Sequence, residues 1–129
     1  RYGLDTLYVF GSQASAIAGL VRFGQPLTLK AASDVDVGIL PQPGSTVDPR
    51  AKVRLMAELE DLLGVGRVDL VSLPDAPPFL AVEIVNGELL YEADPDRTAE
   101  YELYVLRRAG DLAPFEQERV RDVLAGFAT

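Results

Sequence analysis

The run Asp34-Val35-Asp36-Val37-Gly38-Ile39-Leu40 alternates polar and apolar residues with a period of two. That period fits a β-strand and no helix. Val35, Val37 and Ile39 fall on one face and call for an apolar layer to cover them, while Asp34, Asp36 and Gly38 share the other face. The two carboxylates then stand on one face with Cα atoms about 6.5 to 7 Å apart. At that distance they repel, so they need either water or a cation between them. A chain built around this strand has a sheet with one covered face and one acidic face.

The neighbouring segments supply the rest of such a layer. Leu4 to Phe10 is rich in β-formers and stops at Gly11, which predicts a buried strand. Ser12 to Leu20 reads as a helix with Ser12 able to cap it, and the stretch after it, with Gly24 and Pro26, reads as a loop. Asp48-Pro49 supplies a cap and a first-turn proline for a helix reaching Leu63, with Leu55, Met56, Leu59, Leu62 and Leu63 as its core stripe and Gly64 as its stop. Arg67 to Leu73 is a third strand. Phe79 to Val85 fits helix or strand by pattern alone, Asn86-Gly87 fits a helix end, and Glu88 to Glu92 fits a short edge strand. From Asp96, Ala99, Leu103 and Leu106 predict a helix to about Ala109, and a second helix follows a break between Gly110 and Pro114. Tyr101, Leu103, Tyr104 and Leu106 are expected to pack. The expected fold class is α+β, an α/β layer with a small mixed sheet packed by helices. It forms a single domain over 1–129, with the sheet and its helices in 1–92 and a helical C-terminal segment in 93–129.

Composition narrows the chemistry. The 129 residues contain no cysteine and no histidine, which removes thiolate and imidazole catalysis and His- or Cys-ligated metals. Acid–base or metal work must therefore rest mainly on Asp and Glu. The formal net charge of −8 repels nucleic-acid phosphates, so a long nucleic acid is not an expected partner. No apolar run reaches the roughly 18 to 20 residues of a membrane span. A cytoplasmic location without membrane contact is expected.

Asp69, in the third strand between Val68 and Leu70, adds a further carboxylate in a mainly apolar segment, with Arg67 on its own face. Asp34, Asp36 and Asp69 can converge from two strands. Oxygen-only donors favour Mg²⁺ or Mn²⁺. Gly11-Ser12, at a strand end and a helix start, offers backbone N–H groups, a hydroxyl and a favourable helix dipole to an anion. A phosphate clasp beside metal-binding carboxylates describes a nucleoside triphosphate site suited to phosphoryl or nucleotidyl transfer.

The segments LYVFGSQAS, SDVDVGIL and VDLVSL resemble the minimal nucleotidyltransferases of the polymerase-β-like superfamily, whose signature is Gly-Ser, a spacer, Asp-x-Asp and a third acidic residue on a later strand. VDLVSLPDAPPFLAVEIVNGELLYEADPDR and DLAP resemble, more narrowly, the MNT antitoxins paired with HEPN toxins. The resemblance implies the polymerase-β-like fold. It implies that Gly11 and Ser12 hold the triphosphate of ATP, that Asp34, Asp36 and Asp69 bind two Mg²⁺ ions, with Mn²⁺ as the alternative, and that Asp69 helps deprotonate the attacking hydroxyl. It further implies transfer of AMP to a tyrosine of a HEPN toxin.

Two features depart from that pattern. The spacer Gln13 to Ser33 is roughly twice the family's length, and Gln13 stands where the family carries a basic residue; Lys30 and Arg22 are the cations in the spacer that could replace it. The competing readings are an antitoxin that acts by binding alone and a transferase acting on a small molecule such as an aminoglycoside.

Overall fold

The computed structural model describes residues 2–24 and 34–127. The elements run β1 (Leu4–Phe10), α1 (Ala14–Phe23), β2 (Val35–Pro41), α2 (Pro49–Leu63), β3 (Val68–Ser72), α3 (Pro78–Val85), β4 (Glu88–Glu92) and α4 (Pro95–Gly126). The four strands form one mixed sheet in the order β3-β2-β1-β4. β1 pairs antiparallel with β2 and β4, and β2 pairs parallel with β3. The expected α+β layer with a small mixed sheet and a helical C-terminal segment is what the chain adopts.

The alternation in β2 sets which helices lie where. Val35, Val37 and Ile39 are fully buried with Val9, Ile17, Leu55, Leu63 and Val68, so α1 and α2 cover that face. Burying each such side chain contributes roughly 1.5–3 kcal/mol, enough to hold the register, because a one-residue slip would turn all three to the wrong side. On the opposite face Tyr8, Phe10 and Leu40 pack with Ala81 and Ile84 of α3 and Val105 of α4. Gly38 is central to that packing. A Cβ there would run into Cγ2 of Ile84, so α3 lies directly on the bare backbone of β2.

The α2 expectation is met at both ends. Asp48 accepts a hydrogen bond from the Ala51 N–H at 2.8 Å, Pro49 opens the helix, and Gly64 closes it in the left-handed conformation. Leu62, read as core, is 76% exposed. It lies about 60° from Leu59 on the side away from Leu63 and in the last turn, past the edge of the covered stripe. Phe79 to Val85, open by pattern, is helical.

The C-terminal segment corrects two expectations. It is one helix of 32 residues rather than two, with Pro114 inside it. Pro114 lacks an N–H for the Gly110 carbonyl, but both residues are exposed, so water can take the freed acceptor. The buried face consists of Thr98, Val105 and Ala109, whereas Leu103, Tyr104 and Leu106 are exposed and only Tyr101 of the expected set is half-buried. Glu102 concealed this face, because a charged residue occupies the inward stripe. It is held there by Tyr8, whose hydroxyl donates to Glu102 Oε1 at 2.6 Å. Burial, and then the acceptor carboxylate, push the Tyr8 phenol far above its ordinary value. A second tie lies at the start of α4, where Arg97 Nε and Nη2 donate to the buried Asp5 at 3.1 and 2.8 Å.

Candidate active site

Strands β1, β2 and β3 carry the candidate residues to one end of the sheet. Phe10 pairs with Asp36 across β1 and β2, and Asp36 pairs with Asp69 across β2 and β3. Gly11 follows Phe10 and so emerges beside Asp36. Side chains directly opposite in register share a face, which places Asp36 and Asp69 on the α3 side with Phe10. Asp34 precedes β2 by one residue and is exposed, while Asp36 and Asp69 are half-buried.

Gly11 is the point of closest approach. Its φ is +79°, a conformation that side chains resist, and a Cβ at this position would stand 2.7 Å from Asp36 Oδ2. The absence of a side chain therefore does two things. It permits the reversal that ends β1, and it leaves the Asp36 carboxylate open at the sheet end.

The helix start differs from expectation. Ser12 does not cap α1, which begins at Ala14 with Gln13 in the cap position and no side-chain cap. The Ala14 N–H donates to the Gly11 carbonyl at 3.3 Å, closing a turn across Ser12 and Gln13 before the helix begins. The exposed Ser12 hydroxyl is thus not used for capping. Arg22 is committed elsewhere. It donates to Glu88 Oε2 at 3.0 Å and to the Leu89 carbonyl at 2.7 Å, tying α1 to β4. Lys30, the other cation of the spacer, lies outside the described residues.

The electrostatics of the cluster are one-sided. Asp36 is held above the usual carboxylate range, first by burial and then by the negative charges of Asp69, Asp34 and Glu83. Glu83, on α3, escaped the sequence reading; its signal is that it is the one charge in the apolar run Phe79 to Val85. Ile84, seated on Gly38, fixes the helix turn from which Glu83 acts on Asp36. The described cation within the cluster is Arg67, whose Nε donates to Asp69 Oδ1 at 3.0 Å. The Val35 N–H donates to the Arg67 carbonyl at 3.1 Å, so the parallel ladder runs down to this residue and fixes its backbone.

Asp34, Asp36 and Asp69 fit a hard divalent cation in donor type, and the surplus negative charge at Asp36 is what such an ion would neutralise. Among the described residues no group of three or more acidic side chains is already gathered tightly enough to hold a metal ion. Among the described residues, too, no helix is long and apolar enough to cross a membrane.

A four-stranded mixed sheet with Gly-Ser after its first strand and acidic residues on the next two defines a nucleotidyltransferase scaffold. Residues 2–96 match the polymerase beta nucleotidyltransferase family, and the chain belongs to that family. Its fold is similar to that of a chain in the crystal structure of the toxin–antitoxin MntA-HpeT carrying two aspartate-to-glutamate mutations, with a TM-score of 0.71 and 23% identity over 95% of this chain and 87% of that one. A toxin–antitoxin crystal structure with AMP-PNP is similar at a TM-score of 0.68, with 23% identity over 95% of this chain and 87% of that one. A third is a rebuilt structure of tri-AMPylated Shewanella oneidensis HEPN toxin in complex with MNT antitoxin, at a TM-score of 0.66 and 22% identity over 95% of this chain and 84% of that one. A comparison with curated proteins finds no match.

Proposed function

We propose that the chain is an Mg²⁺-dependent nucleotidyltransferase that moves AMP from ATP to a tyrosine of a partner HEPN toxin and thereby acts as its antitoxin. The observation that carries this reading is the register Phe10–Asp36–Asp69, with Gly11 against the Asp36 carboxylate. The fold shared with toxin–antitoxin structures, one with AMP-PNP and one with an AMPylated HEPN toxin, supports the choice of nucleotide and acceptor.

In this reading Gly11 lets the phosphates approach the backbone, and Ser12 offers its hydroxyl and N–H to them at the start of α1. Asp34, Asp36 and Asp69 hold two Mg²⁺ ions, with Mn²⁺ able to replace them. When bound, the metal neutralises charge on the phosphates and on the departing pyrophosphate. The tyrosine oxygen attacks the α-phosphorus, the bond to the bridging β-phosphate oxygen breaks, and pyrophosphate leaves. The phenolic proton passes to a carboxylate of the set, a role we assign to Asp69.

The test is transfer of label from ATP marked at its α-phosphate, with Mg²⁺, onto a purified HEPN toxin. Label on the toxin with the wild type and none with Asp36→Asn is the expected result. Equal labelling by the variant would overturn the site assignment. One observation favours binding alone as a second reading, namely the long spacer Gln13 to Ser33 between Gly11-Ser12 and Asp34. Antidote activity that survives Asp34→Asn with Asp36→Asn would favour it.

A further inference from the structure

We infer that Arg67 is a resident cation that holds Asp69 away from the metal site and must let go before a divalent ion is fully bound. The inference rests on the reading of Asp34, Asp36 and Asp69 as metal ligands. It is carried by the position of Arg67. It lies two residues before Asp69, immediately ahead of β3 where the ladder to Val35 continues, so both side chains stand on one face. Its Nε donates to Asp69 Oδ1 at 3.0 Å, and its backbone is pinned to β2 through the Val35 N–H. Asp69 is opposite Asp36 in register, and the residue opposite Arg67 by the same register is Asp34. The guanidinium therefore belongs to the acidic end of the sheet and not to a remote surface.

The contact is poised to exchange. The Arg67 side chain is 67% exposed and that of Asp69 is 39% exposed, so the pair is wet and weakly held. Asp36, next to it, has no matching cation among the described residues and feels three negative neighbours. A divalent ion entering between Asp36 and Asp69 meets one carboxylate that is uncompensated and one whose Oδ1 is engaged. Occupying the second through Oδ1, as full engagement of the carboxylate demands, requires Arg67 to swing into solvent, which its exposure permits at little cost. Arg67 thereby lowers the affinity for the metal alone, while Asp69 still repels Asp36 in its absence.

The test uses two readouts that need no turnover. Mn²⁺ binding is measured by isothermal titration calorimetry on the wild type, Arg67→Gln and Asp36→Asn. In parallel the Arg67 Nε–H resonance, assigned as the one missing in Arg67→Gln, is followed while Mg²⁺ is added to the wild type. Tighter Mn²⁺ binding by Arg67→Gln, roughly two- to fivefold as for loss of an exposed ion pair, is expected. With it the Arg67 Nε–H should move to the position of a free arginine and exchange faster as Mg²⁺ saturates. Tightening without that release would make Arg67 a general positive field and overturn the displacement. Unchanged or weaker binding by Arg67→Gln would overturn it as well. Mn²⁺ binding that persists at full strength in Asp36→Asn would instead sink the site reading, and so separates the two failures.

Discussion

Replacing Gly11 by alanine should damage the site more than the fold. The φ of +79° costs an L-residue about 1–2 kcal/mol in backbone strain, and in a chain of this size each kcal/mol lowers Tm by roughly 3–6 °C. The added methyl also stands 2.7 Å from Asp36 Oδ2, a distance that real contacts do not tolerate, so the carboxylate must rotate away. That movement is cheap for stability because Oδ2 is the end of a side chain. It is not cheap for metal binding, where displacing a group that orients the ligands typically weakens affinity 10- to 100-fold. Gly64 provides the control. Its φ is +68° and a Cβ there meets nothing within 4 Å, so Gly64→Ala carries the strain without the contact. The assay pairs urea unfolding with Mn²⁺ calorimetry on both variants. Similar losses of stability, with Mn²⁺ binding impaired only in Gly11→Ala, are expected. Equal Mn²⁺ binding by the two would refute the claim that Gly11 makes room for the Asp36 carboxylate.

Two further predictions concern buried charge. Because burial and three carboxylates raise the Asp36 pKa, its ionised form is disfavoured in the folded state; the penalty is absent below the unfolded value of about 3.9, builds between that and the higher folded value, and is fully present above the folded one. Asp36→Asn should therefore unfold at higher urea than the wild type at pH 7, with the gap closing near pH 3.5; a gap independent of pH would contradict this. Arg97→Ala would leave Asp5, with a side chain only 3% exposed, without its bidentate partner and should lower the midpoint of urea unfolding at an unchanged slope. An unchanged midpoint would show that the pair does not help anchor α4 to β1.

What was legible in the sequence was local. The alternation in Asp34 to Leu40 specified β2 and its faces, because side chains on a strand have no choice but to alternate. Asp48-Pro49 and Gly64 marked the ends of α2 because their backbone preferences act within one turn. The residues placed at the sheet end, Gly11, Asp36 and Asp69, stood out for the same reason: glycine at a strand end and carboxylates in apolar strands are locally unfavourable. Other features depended on partners distant in the chain. Glu102 could be inward only because Tyr8, 94 residues earlier, supplies a donor. The long helix survives Pro114 because that stretch lies in water, which no local pattern reports. Glu83 reached Asp36 through the seat of Ile84 on Gly38, and Arg67 became the cation of the cluster through a parallel pairing of β2 with β3. Composition and period determined which residues could form a strand, a turn or a carboxylate set. Only tertiary structure decided which charges met, because pairings between distant segments depend on how the layers pack.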